Sequence, residues 1–174
     1  MKHPTGLVLV VVATLAACAL AACALVQGPP LARGQTLAEV QALLGAPSGR
    51  YELPGGLTRL EFARGPYGRQ TWMVDLGADG RVAAYDQVLN EMHFAEFAQR
   101  APGMTRDELL RTLGRPAERR HGGWAGGEIW SYRYPTNDCL WFQVTLGEDT
   151  RVRAGSYGID PACDVNDKAP APSR

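Results

Sequence analysis

GQTLAEVQALLGAP, residues 34–47, returns later in the chain as GMTRDELLRTLGRP, residues 103–116. The shared positions are Gly34/Gly103, Thr36/Thr105, Glu39/Glu108, Leu44/Leu113, Gly45/Gly114 and Pro47/Pro116. Each shared residue has a reason rooted in helix physics. Thr-x-x-Glu is a capping box: the Thr hydroxyl accepts an orphan backbone N–H, and the Glu carboxylate reaches back to the cap. In the second copy Met104 and Leu109 stand at the two positions of a hydrophobic staple. Gly45 and Gly114 fall just past the last apolar residue, where a left-handed residue ends a helix, and a proline two positions on prevents continuation. Each phrase therefore predicts a short helix with a defined start and stop, over about 37–44 and 105–113.

The correspondence runs on beyond the helices. Leu60 and Phe62 match Trp130 and Tyr132 at an offset of 70, and Trp72, Val74 and Leu76 match Phe142, Val144 and Leu146. These stretches alternate apolar and polar residues, the period of a half-buried strand. Asp79-Gly80 marks a hairpin, and Gly147-Glu148-Asp149-Thr150 mirrors it. A strand-like stretch surrounds Tyr51, and a segment from about Asn90 to Gln99, with Met92, Phe94 and Phe97, reads as a further helix. The pattern predicts an α+β protein of two tandem units, each a short helix or helix pair packed on a three- to four-stranded antiparallel sheet. Unit one spans 34–89 and unit two 90–166, with a polar, proline-rich tail at 167–174 expected to be disordered.

The first 22 residues read as a lipoprotein signal peptide: Lys2 and His3, then an apolar run from Leu7 to Leu20 that is short for a bilayer span. Two cleavage boxes follow, Leu15-Ala16-Ala17-Cys18 and Leu20-Ala21-Ala22-Cys23. Lipidation at Cys23 leaves Cys139 and Cys163 as an even pair, whereas Cys18, the alternative, leaves three cysteines in an oxidising compartment. Residues 23–33 then form a lipidated tether containing Gly28-Pro29-Pro30. The 18 basic and 18 acidic residues balance, so composition offers no nucleic-acid footprint and no polybasic membrane patch.

The repeated phrase, the preceding lipobox and the Trp- and Tyr-bearing hairpin together resemble the BamE (SmpA/OmlA) family of small outer-membrane lipoproteins. That resemblance implies a periplasmic protein anchored to the outer membrane, an accessory of the machinery that inserts β-barrel proteins. The doubling of the unit also resembles the architecture of β-lactamase inhibitor protein. This second likeness implies the alternative of a tethered inhibitor or ligand-binding module gripping an enzyme with a concave double sheet.

Residues for catalysis are scarce. His93 lies among Met92 and Phe94, His121 beside Arg119 and Arg120, and neither has metal-ligand spacing to another donor. No nucleophile elbow, phosphate loop or dinucleotide fingerprint occurs, and Glu118 and Glu128 have no fixed geometry. The sequence thus leads to a non-enzymatic protein without a cofactor or metal. Its expected partner is another protein, with membrane contact through the N-terminal lipid and none with nucleic acid. Cys139 and Cys163 are expected either to form a disulfide, closing a loop of about 25 residues with roughly 3 kcal/mol of stabilisation, or to remain free thiols. If Phe142, Val144 and Leu146 face inward, Trp141 and Gln143 face outward. By the same alternation Arg133, Met73, Asp75 and Arg59, beside Glu61, line that outer face. Tryptophan among arginines has the composition of a binding hot spot; the competing reading is that the other unit or the tail covers it.

Overall fold

A computed structural model describes residues 29–65, 69–122 and 126–166, the side chains of 164–166 excepted. The signal peptide with Cys18, the lipobox Cys23, most of the tether, Trp124 and the 167–174 tail lie outside the described residues.

The protein is α+β. Helix α1 (Leu37–Leu44) precedes strands β1 (Gly49–Leu53), β2 (Leu57–Arg64), β3 (Gln70–Leu76) and β4 (Val82–Gln87). Helices α2 (Glu91–Arg100) and α3 (Arg106–Leu113) lead into β5 (Glu118–His121), β6 (Glu128–Tyr132), β7 (Leu140–Leu146) and β8 (Val152–Ile159). The strands form two antiparallel meanders, β1-β2-β3-β4 and β5-β6-β7-β8. Residues 32–166 belong to one compact unit; Leu31, which closes the preceding segment, donates its N–H to Pro29.

Both capping boxes form. Glu39 and Glu108 accept from the N–H groups of Thr36 and Thr105 at 2.7 Å, and the Thr hydroxyls accept in return from the Glu N–H groups. Such caps stabilise a helix by about 1 kcal/mol each. The two units repeat in detail. Leu60 pairs with Val74 as Trp130 pairs with Val144, and the β3–β4 irregularity at Asp75/Leu76 recurs at Thr145/Leu146. Gly34 and Gly103 donate to Val82 and Val152, and Arg81 and Arg151 donate back to the glycine carbonyls, tying each helix start to its last strand. The glycines ending α1 and α3 differ from a left-handed cap. With φ 81, ψ −161 and φ 77, ψ −162 they occupy the mirror-image extended region, which is essentially reserved for glycine.

Each sheet has two faces. In the first, Leu60, Phe62, Val74, Leu76 and Val82 are buried, as are Val40 and Leu44 of α1. In the second, Trp130, Tyr132, Phe142, Val144 and Leu146 join Phe94, Phe97, Leu109 and Leu113 of α2 and α3 in one core. Phe94 stacks on Phe142 at 4.3 Å. Met73, from the opposite face of the first sheet, belongs to this same core.

That opposite face is where the units join. Arg59 makes a two-pronged pair with Asp75 (2.7 and 2.8 Å) and donates its remaining arm to the carbonyl of Arg111, in the last turn of α3. Cationic donors at a helix C-terminus are electrostatically favoured. Glu61, 0% exposed, accepts from the backbone N–H of Arg115 at 3.1 Å and from the Tyr51 hydroxyl at 2.5 Å. Burial, and then the bond to Glu61, raise the Tyr51 pKa, keeping the phenol a proton donor. On the other side, Tyr132 donates to the Gly114 carbonyl at 3.1 Å.

Gly114 therefore has two duties and its counterpart Gly45 only one. A Cβ on Gly45 would meet nothing within 4 Å, whereas on Gly114 it would lie 2.9 Å from Glu61 Cδ and 3.1 Å from Thr71 Cγ2. Gly45→Ala is expected to cost about 1–3 kcal/mol for backbone strain alone. Gly114→Ala should cost distinctly more in urea unfolding; equal costs would contradict the described seam.

Candidate functional site

The six residues expected to share an outward face are divided by the structure. Arg59, Met73 and Asp75 do lie on one face of the first sheet, but that face receives the end of α3. Met73 is 2% exposed and Asp75 8%. They hold the two units together and are not an open surface, because strand alternation assigns a residue to a face without saying what packs there.

Trp141, Gln143 and Arg133 lie on the corresponding face of the second sheet. Trp141, expected as an open outward anchor, is instead 2% exposed and covered within the chain, with Arg133 and Arg120 over its ring at 5.2 and 5.9 Å from the centre. Arg133 is anchored by Asp160, with bonds of 2.7 and 2.9 Å between side chains only 12% and 5% exposed. The Arg133 bond holds the Asp160 carboxyl below the ordinary aspartate range; burial opposes this, and the N–H of Ala162 assists. Gln143 sits between Trp141, Ser131 and Arg120. With its amide oxygen turned toward them it accepts from Trp141 Nε1 at 3.3 Å, Ser131 Oγ at 3.1 Å and Arg120 Nη2 at 3.1 Å. Amide orientation follows from the surrounding donors, and all three neighbours are donors here. Arg120, Arg133 and Gln143 thus gather at the Trp141 indole, and of these Arg120 alone is exposed.

Arg120 is the residue that sequence reading missed, together with the strand carrying it. All four side chains of β5 are exposed and polar, so no apolar alternation marks it as a strand. The available signal is the repeat: β1 pairs with β2 through Gly49↔Glu61, and β5 with β6 through Glu118↔Ser131. Consecutive residues on β5 point to opposite faces, so Arg119 stacks on Trp130 at 4.1 Å while Arg120 covers Trp141. Arg106 also stacks on Trp130 at 5.3 Å and pairs with Glu128, which accepts from the Trp130 indole as well.

The remaining candidates have structural surroundings. His93 bridges Asp86 at 2.8 Å and Asn90, the cap of α2, at 3.1 Å. His121 is exposed at the end of β5. Among the described residues no three His, Cys, Asp or Glu side chains are grouped to hold a metal. A cavity of about 520 Å³ opens between Gln87, Leu89, Asn90, Met92 and Tyr134. The amides of Gln87 and Asn90 are already bonded to the local backbone.

Cys139 and Cys163 are unbonded in the structure, and both are exposed. They are neighbours nonetheless: hydrogen bonding to Cys139, then burial, push the Cys163 thiol up to about 11. Asp160 lies between them, donating its N–H to the Cys139 carbonyl and accepting from the Cys163 N–H. A disulfide would thus close around the residue that anchors Arg133.

Comparison with protein-family models, with curated proteins and with solved structures gave no match to this chain.

Two outcomes are expected here. Breaking the buried pair with Asp160→Asn should cost about 3–5 kcal/mol at neutral pH. Because the folded-state pKa of Asp160 is lowered, its contribution is complete above the unfolded value of about 3.9 and fades as pH falls through the folded one. The difference between wild type and variant in urea should accordingly shrink as pH drops below about 4, and a constant difference would contradict this pairing. Second, protein prepared under oxidising conditions and denatured should show thiol reactivity at Cys139 and Cys163 only after reduction; two reactive thiols beforehand would exclude the disulfide.

Proposed function

We propose that this protein is a non-enzymatic lipoprotein anchored to the periplasmic face of the outer membrane. It binds protein partners there, in outer-membrane protein assembly or envelope maintenance. The observation that carries the binding reading is Arg120, exposed on the second sheet and seated over Trp141. Arginine is enriched in protein interfaces, and on this face Arg120 is exposed while the indole beneath it is already buried within the chain. The equivalent face of the first sheet is spent on joining the units, which leaves the second sheet as the binding element. The resemblance of the repeated helix phrase and lipobox to BamE-like lipoproteins supports the address and the class of partner. Lipidation at Cys23, with Cys18 as the alternative, supplies the membrane contact; among the described residues no helix is long and apolar enough to cross a membrane.

The reading as a tethered inhibitor or ligand-binding module draws on a concave surface spanning both sheets. It has less support, because the end of α3 occupies the first sheet's share of that surface.

Cross-linking in intact membranes followed by purification should recover subunits of the barrel-insertion machinery. Recovery of a hydrolase alone would favour the inhibitor reading. Cys23→Ser should abolish incorporation of radiolabelled fatty acid, whereas unchanged incorporation would move the anchor to Cys18.

A further inference from the structure

Resting on the reading that this chain binds a protein partner, a comparison of the two sheets identifies the chemistry that partner brings. The face of the first sheet that joins the units holds a carboxylate, Glu61, bonded by Tyr51 on the neighbouring strand, and it receives a backbone N–H from beyond the end of α3. In the second sheet the same pairing position is filled by Ser131, and the place of Tyr51 by Arg120. The polarity of the receptor is reversed: an acceptor in the first sheet, a donor in the second.

The donor is also incompletely used. Among the described residues Arg120 makes no ion pair; its contacts are the Trp141 ring and Gln143. Arg133, the other guanidinium over Trp141, already grips Asp160 with both prongs. Arg120 is exposed, and beyond it β8 presents Ala154, Ser156 and Gly158 opposite Thr145, Gln143 and Trp141, a floor of small uncharged residues. Glu118 is the opposing charge, two residues away on β5 and on the same face. A guanidinium positioned over an indole and by a glutamine oxygen, with part of its fork open, can receive a planar carboxylate. We propose that this face docks an acidic segment of a protein partner, one of whose Asp or Glu carboxylates pairs with Arg120 above Trp141.

The test places a photo-reactive amino acid at Ser156, on this face, in the full-length chain in its own membrane, and maps the cross-linked residue by mass spectrometry. The expected product is a partner segment bearing Asp or Glu at the contact. Cross-linking should fall about tenfold or more in Arg120→Glu and recover when the mapped carboxylate is changed to Lys or Arg. Circular dichroism of Arg120→Glu establishes that the variant is folded. A contact segment without carboxylates, or cross-linking unaffected by Arg120→Glu, overturns the proposal while leaving partner binding intact. Products limited to lipid, or to a second copy of this chain, overturn the proposal as well. Absence of a protein product from this face, with a partner captured through a probe elsewhere on the chain, does the same. Absence from every position overturns the underlying reading of a protein-binding lipoprotein.

Discussion

The Glu61 carboxylate, wholly buried and bonded to the Arg115 N–H beyond the end of α3, is the constraint from which the molecule's organisation follows. A buried carboxylate is tolerated only where its lone pairs are filled. Tyr51 fills one from its own unit and Arg115 another from the next, so the charge is satisfied only when the units are joined. Arg59 adds a second tie through the Arg111 carbonyl, and Met73 extends the apolar core across the seam. Such polar ties contribute less to net stability than apolar burial does, but they permit few alternative registers. Gly114 lies where these demands meet and has no room for a side chain.

The internal repeat sets two faces alike in geometry but opposite in the charges they carry. On the first sheet Arg59, Glu61 and Asp75 serve the internal joint. On the second their counterparts are Ile129, Ser131 and Thr145, uncharged side chains that cannot repeat it. The charge on that sheet moves to Arg120 and Arg133, each over Trp141. One sheet's face is spent on assembly of the chain, whereas the other keeps Arg120 exposed and is the face proposed for binding.

Much of the fold was legible because its signals are local. Thr36/Glu39 and Thr105/Glu108 are caps whose partners lie three residues away, and alternation in 72–76 and 142–146 needs only the period of a strand. Strand β5 was not legible from its own residues, since Glu118, Arg119, Arg120 and His121 contain no apolar member. The candidate face was half legible. Alternation correctly grouped Arg59, Met73 and Asp75, yet which helix covers a face is set by contacts some fifty residues apart, as between Arg59 and Arg111. Gly114 illustrates the same limit: its positive φ is written in the helix phrase, but its crowding against Glu61 is not.

Native-state hydrogen exchange tests most directly whether the seam makes the two units one cooperative body. If Glu61, Arg59 and Met73 couple them as described, the most protected amides of β3 and β7, such as those of Val74 and Val144, should exchange through the same global opening. They should then show equal free energies and equal dependence on denaturant. Opening of the first sheet at a free energy lower by more than about 1 kcal/mol, with its own denaturant dependence, would show two independent units and contradict the account.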